Sequence, residues 1–397
     1  MTKKIHSAAA PALRLTAQDE LELRMLNEQL ENEILSQYED FLFRDRRSFD
    51  ASHWKLVRSV GDVHAYKERH AKQHTPTDTW FIAPQSAGPQ ERLAQHSVLP
   101  RILVSGTIPG TLDDVMYGMS FHDTPSLQAF WTGQRDSVDE CAVVATLEAP
   151  TPDDPYRFLG AIWFQRTFPF NIFHRRDSLV LASCGISRLS NGECVGVVIG
   201  HTIEHRDFPE LNELNTIRAT SSILKVFRQL DTGRVEMFTI HFVDAKGCAS
   251  EIYHVRESLT YLMLLAASAD NVGFCRKLAW LRDRRREDMS TTRDVIEPQG
   301  SGTNEYCELC DKKIGNVLTC AGTSCELCYR RICSRCRVSH DLVARTNTGR
   351  TVLKECDFCV HCSLRARAQN QERRPLIKQR KRALTTLLSE DSLRRLT

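Results

Sequence analysis

The sequence predicts an α+β protein with two folded parts, and three observations carry that reading. Nine β-rich runs are spread over residues 54–243. A long, largely apolar helical segment follows from Arg256 to about Arg284. Ten of the fifteen cysteines then fall between Cys307 and Cys362. At 397 residues the chain has room for two or three units, and 41% hydrophobic residues supply a core for the larger one. The division is 1–15 as a tail, 16–49 as an amphipathic helix, 50–284 as the large domain, 285–304 as a linker, 305–364 as the cysteine module and 365–397 as a basic tail.

The elements follow in order. Thr16-x-x-Asp19 is a helix-start signal, since the Thr side chain can accept from the backbone three residues on and the Asp can reach back. Leu23, Leu26, Leu30, Ile34 and Phe41 then recur at three-, four- and seven-residue steps among Glu and Gln, which predicts a helix with one apolar face. That face either packs on its own domain or meets a partner protein. Strands are expected at Trp54–Val60, Val63–Lys67, Ile102–Thr107, Ala142–Leu147, Leu159–Gln165, Ser178–Ser187, Cys194–His201, Ser221–Gln229 and Val235–Val243. All are rich in Val, Ile, Phe and Thr and are bounded by Gly or charged turns. Thr111-Leu-Asp-Asp opens a short helix to about Gly118. In the last helix Leu259, Leu262, Met263, Leu265 and Ala266 precede Leu278 and Leu281, with a possible break at Gly273. Residues 285–304 lack periodicity and hold Pro, Gly and Ser, as a linker does.

Six stretches stand out in order: WKLVRSVGDVHAYKE (Trp54 to Glu68), GTIPGTLDDVM (Gly106 to Met116), FPFNIFHRRDSLVLAS (Phe168 to Ser183), HTIEHRDFPE (His201 to Glu210), TIRAT (Thr216 to Thr220) and FTIHFVDAKGCASE (Phe238 to Glu251). Together they resemble a START domain. The resemblance implies a helix-grip fold, a curved antiparallel sheet around a long C-terminal helix, with a cavity for a lipid or another hydrophobic ligand. Arg176 and Asp177 match the family's Arg-Asp step and are expected as a structural ion pair or turn fixture. Trp163, Phe164 and Phe242 are candidate cavity aromatics, each with ordinary core packing as the alternative.

Catalysis is not expected. His201-Thr-Ile-Glu-His205 has the spacing of an inverted zinc-protease motif, but that chemistry needs a helix. Here the motif follows CVGVVIG, a β-rich run, and on a strand residues i and i+4 lie about 13 Å apart. Two imidazoles cannot then share a metal. There is no Gly-x-Ser-x-Gly elbow, phosphate-binding Gly-rich loop or dinucleotide fingerprint. No stretch approaches 18 apolar residues, and MTKKIHSAAAPALRL lacks the apolar core of a secretory signal. The unpatterned Cys141, Cys184, Cys194, Cys248 and Cys275 suit buried thiols in a reducing compartment, so a cytoplasmic protein is expected.

The clustered cysteines are paired: Cys307 with Cys310, Cys325 with Cys328, Cys333 with Cys336, and Cys359 with Cys362, leaving Cys320 and Cys356 over. A Cys-x2-Cys turn brings two thiolates to one metal, and four complete a tetrahedral zinc shell, so eight ligands predict two Zn²⁺ ions. Cys356-x2-Cys359 is a rival last pair. The x4 step in CELCYRRICSRC resembles a FYVE-type finger, which implies a cross-brace. On that analogy Cys307, Cys310, Cys333 and Cys336 hold one ion and Cys325, Cys328, Cys359 and Cys362 the other. Sequential pairing is the alternative topology. Eight thiolates on two divalent ions leave a formal −4, which Arg330, Arg331, Arg335 and Arg337 help balance.

FYVE fingers read phosphatidylinositol 3-phosphate through a basic run into the second pair. This chain has AGTSCELC there and lacks the family's W-x-x-D. Arg330 and Arg331 remain as lipid-headgroup candidates. The last 35 residues carry ten Lys/Arg against three Asp/Glu, a second route to an anionic membrane surface, endosomal or other. The expectation is a non-enzymatic lipid-binding, transfer or sensing protein whose finger and tail direct it to a membrane or a protein partner, with no nucleic acid partner. The rivals are a zinc-dependent interaction adaptor and a RING-like ubiquitin ligase. The all-cysteine set and the x4 gap weigh against the latter.

Overall fold

The computed structural model describes residues 13–69, 100–136, 138–167, 174–210, 216–244, 246, 251–291, 306–314, 322–347 and 349–368. The basic tail beyond Ala368, residues 292–305, the N-terminal tail to residue 12 and Cys320 lie outside the described residues. The chain divides into two compact units, Met1–Asp270 and Asn271–Thr397.

The first unit is built on one sheet. Its strands are β1 Trp54–Val60, β2 Val63–Glu68, β3 Ile102–Pro109, β4 Glu140–Glu148, β5 Phe158–Arg166, β6 Arg175–Arg188, β7 Cys194–Thr202, β8 Thr216–Arg218, β9 Thr220–Leu230 and β10 Arg234–Asp244. They run in the order β1-β2-β3-β10-β9-β7-β6-β5-β4, all antiparallel, with the three-residue β8 added parallel to β6. Each of the nine runs expected as strands is a strand. The sheet closes its chain-order gap where β3 pairs with β10, Ile102 opposite His241 through Pro109 opposite Arg234.

Alternation along the strands divides the side chains between two faces. Leu224, Val226, Phe238, Ile240, Val195, Val197 and Ile199 share one buried cluster with Leu30, Ile34 and Tyr38 of helix α1, Ala17–Glu39. The expected capping box is present: the Asp19 N–H donates to Thr16 Oγ1 at 3.2 Å, and the Thr16 N–H donates to Asp19 Oδ2 at 2.7 Å. The apolar face of α1 is therefore spent on its own sheet, while Leu21 and Met25 stay exposed. Each fully buried Leu or Ile there contributes about 1.5–3 kcal/mol. A π-turn over Asp40–Arg44 ends the helix and brings Phe41 and Leu42 into the same cluster. Beside it a buried polar network centres on Glu236, which accepts from Tyr38 at 2.8 Å, Arg47 at 2.6 Å and Arg228 at 3.1 Å.

On the opposite face lie α2 Leu112–Met119, α3 Thr124–Gly133 and the first half of α4, Glu251–Thr291. The short helix after Thr111 was expected. The sequence reading assigns no element to α3, although Asp123 caps it and Pro125 stands in its first turn.

The second half of α4 belongs to the second unit. Phe274, Cys275 and Leu278 are buried there with Ile332, Leu342, Phe358 and Ala366. Two expectations change here. Residues 271–284, assigned from sequence to the large domain, pack into the small unit. The expected linker starts as helix, since α4 is unbroken at Gly273 and runs to Thr291. The remaining elements are β11 Thr323–Ser324 with β12 Arg331–Ile332, the hairpin β13 Arg337–Arg345 with β14 Thr351–Cys359, and α5 Val360–Ala368.

Candidate ligand cavity and metal centres

A cavity of about 290 Å³ lies within the first unit, between the sheet and its helices. Its walls follow the strand alternation: Ile162 and Phe164 from β5, Ser178, Val180, Ala182 and Cys184 from β6, Val198 and Gly200 from β7, Ser221, Ile223 and Lys225 from β9, His241 and Val243 from β10. Met119 at the end of α2, Phe121, Phe130 and Trp131 of α3 and Ser258 and Tyr261 of α4 line it from the helix side. The larger share of the lining is aliphatic and aromatic, with twelve polar or charged residues of twenty-eight among it, so the space suits a ligand with both an apolar body and a polar group.

Arg166 crosses this space. Its guanidinium lies 5.2 Å from the Trp131 ring centre, 5.4 Å from that of Phe164 and 5.5 Å from that of Tyr261, and it pairs with Asp136 at 2.7 Å. Of the aromatics singled out from sequence, only Phe164 lines the cavity. Trp163 packs on the opposite face with Leu179 and Phe208 and donates to Asp177 Oδ2 at 3.0 Å. Phe242 is buried at 2% exposure without lining it. One residue's shift along a strand changes the face.

Of the two roles expected for Arg176 and Asp177, an ion pair or a turn fixture, the ion pair between them does not form. Adjacent strand residues point to opposite faces. Asp177 pairs with Arg218 of β8, Nε to Oδ1 at 3.0 Å and Nη2 to Oδ2 at 2.8 Å, with neither side chain more than 3% exposed. Arg176 instead lines the cavity and donates to the carbonyls of His174 at 2.5 Å and Lys246 at 3.1 Å. The His-x-x-Glu-His stretch is not helical, but it is only partly strand, since β7 ends at Thr202. His201 is buried in β7 with Nδ1 3.0 Å from Ser222 Oγ, and His205 lies beyond the strand, its Nε2 3.5 Å from Asp19.

In the second unit the cysteines gather into two groups of four, Cys307, Cys310, Cys333 and Cys336, and Cys325, Cys328, Cys359 and Cys362, with all sulfurs of a group within 4.8 Å of one another. The grouping is crossed, first pair with third and second with fourth. Cys310 and Cys333 sulfurs are 3.8 Å apart, and those of Cys328 and Cys359 are 3.9 Å apart. A tetrahedral shell with metal–sulfur bonds of about 2.3 Å places its sulfurs about 3.8 Å apart. A disulfide would need about 2.05 Å. The donor set and its spacing fit one metal ion per group.

The local sequence explains the convergence. Cys307-Glu-Leu-Cys310-Asp-Lys-Lys and Cys325-Glu-Leu-Cys328-Tyr-Arg-Arg are a repeat that the sequence reading missed. Both fold identically. The N–H of the first Cys donates to the carbonyl five residues on, Lys312 or Arg330, and the residue after the second Cys donates back to the first, at 2.8 to 3.0 Å. That residue adopts positive φ in both, 54° at Asp311 and 60° at Tyr329, an unusual conformation for a tyrosine. Cys356 stays out of both groups. It is buried in the apolar core and accepts from Arg282 at 3.4 Å. Arg330 is exposed, whereas Arg331 is half-buried in β12 with its Nε out of water. Only Arg330 of the two headgroup candidates presents itself fully to solvent.

Among the described residues, no helix is long and apolar enough to cross a membrane. No family model and no curated protein matches the sequence. Among solved structures the chain is similar to human StAR-related lipid transfer protein 5, at 14% identity and a TM-score of 0.40, over 63% of this chain and 96% of that one. Human STARD10 follows at 12% identity and 0.39, over 71% and 88%. The lipid transfer and protein localization domain of human StarD13 follows at 12% and 0.37, over 66% and 98%.

Proposed function

We propose that this protein is a non-enzymatic binder of a lipid or similar hydrophobic ligand, and that its second unit is a two-zinc finger that directs it to a membrane or a protein partner. The observation that carries the first half is the cavity between sheet and helices. Apolar walls left without packed neighbours lose contacts, and an apolar ligand body recovers them. The START-like stretches in the sequence agree with that use. Cytoplasmic residence, peripheral at endosomal or other anionic membranes, goes with this reading.

Each Cys₄ group would hold one Zn²⁺ with every coordination position filled by thiolate. Such a closed shell supplies folding energy and no reaction. The zinc ions therefore brace the finger, and recognition falls to its surface, where Arg330 is the exposed candidate for an anionic headgroup.

Native mass spectrometry of the full-length protein from a lipid-containing host tests the reading. Two zinc ions and a co-purifying amphiphile-sized mass are expected. A protein that carries no such mass, and takes none up from mixed-lipid vesicles, would sink the lipid half.

A further inference from the structure

Lys225 lines the cavity from β9 with 4% of its surface exposed. Among the described residues it has no hydrogen bond and no ion pair; its nitrogen lies 5.8 Å from the centre of the Tyr261 ring. Three other cations line the cavity. Arg166 pairs with Asp136, Arg176 donates to two backbone carbonyls, and Arg135 is exposed. Asp136 is the one carboxylate among the described lining residues, and it is paired with Arg166, so no lining carboxylate is left to pair with Lys225.

Two further polar atoms point the same way. The Nε1 of Trp131 and the Nδ1 of His241 are buried without a hydrogen-bond partner. An indole N–H can only donate. His241 stands near Lys225 by register: Thr239 is directly opposite Lys225 in the β9–β10 ladder, and His241 is two residues on, on the same face. A buried ammonium is costly unless it is paired, and so is a buried donor left without an acceptor. The site is built to be completed by an acceptor that bears negative charge.

We propose that the cavity takes a carboxylate amphiphile, its apolar body against the aliphatic and aromatic walls and its head on Lys225, with Trp131 and His241 in reach of the same head. This rests on the reading of the cavity as a hydrophobic-ligand site and adds the class of its occupant. Burial pushes Lys225 down to about 7, and a carboxylate beside it would restore the ammonium form.

The test is calorimetric titration of delipidated, zinc-loaded full-length protein with dodecanoate, dodecanol, methyl dodecanoate and acetate. Dodecanoate is expected to bind at least about tenfold more tightly than the alcohol or the ester, and acetate not to compete, which separates an amphiphile from a free carboxylate. Lys225→Met should erase the difference between acid and alcohol. Equal affinities for acid and alcohol in the unaltered protein would overturn the proposal and leave the hydrophobic-ligand reading standing. So would an acid preference that survives Lys225→Met. Acetate binding as tightly as dodecanoate would overturn it too, as a small-anion site. Failure of all twelve-carbon probes, together with no amphiphile taken up from vesicles, would remove both readings.

Discussion

Asp177 and Arg218 meet as a two-point ion pair, 3.0 and 2.8 Å, sealed between β6 and β8 with the Trp163 indole donating to the same carboxylate. Parallel pairing of β8 to β6 sets Asp177 opposite Arg218 in the ladder. The guanidinium also reaches the carbonyls of Phe208 and Pro209 at 3.4 and 3.2 Å, so one arginine ties the turn after β7 to the sheet. Removing one member of a buried pair strands the other, at about 3–5 kcal/mol. Asp177→Asn and Arg218→Leu should each lose that much in urea unfolding, and the double variant should lose less than the sum. Strict additivity would mean that the two side chains act separately.

The metal groups can be addressed one at a time. Cys310→Ser and Cys328→Ser should each lower bound zinc from two to one, because they belong to different groups. Cys356→Ser should keep two, since that thiol is held by Arg282 in the apolar core. Metal analysis of the purified variants gives the count, and loss of both ions from either single variant would contradict separate sites.

Filling the cavity should block a ligand without touching the finger. Ala182 lies on β6 at 3% exposure and faces the space from the sheet. Ala182→Phe adds a ring where the ligand body would lie, at a stability cost of about 1–3 kcal/mol from overpacking. The variant should retain two zinc ions and take up at least tenfold less amphiphile from vesicles. Normal uptake would place the ligand elsewhere.

Lys225 also predicts a pH dependence of stability in delipidated protein. Its folded value of about 7 lies below the ordinary lysine value, with desolvation the main cause and Cys184 and Asp136 opposing it. His241, Tyr261, Arg135, Arg166 and Arg176 are the other charged or titratable residues of the lining. Between about pH 7 and pH 10.4 the unfolded chain holds a proton that the folded chain does not. Stability contributed by this site therefore rises with pH over that window, by at most about 1.4 kcal/mol per unit. Below pH 7 the penalty is fully present. Lys225→Met should flatten the rise, seen as the difference between the two unfolding free energies plotted against pH.

Much of the architecture is legible in the sequence. The runs from Trp54 to Val243 became strands because β-branched and aromatic residues in short, turn-bounded stretches have few other ways to bury their side chains. Thr16-x-x-Asp19 became a capping box because its four residues suffice to close it. The Cys-x2-Cys steps announced metal chemistry for the same local reason. Partnership across the fold was decided only in three dimensions. Asp177 passed over its neighbour Arg176 for Arg218, because consecutive strand residues face apart and β8 lies alongside β6. The second half of α4 went to the small unit, since a helix's apolar stripe does not say which core it enters. Crossed rather than sequential grouping of the cysteines depends on where the turns at 307–311 and 325–329 fall relative to β12 and β14. Lys225 stood in an expected strand with nothing local to mark it. Only the closing of α3 and α4 over its face of the sheet left this lysine lining a cavity with no carboxylate of its own.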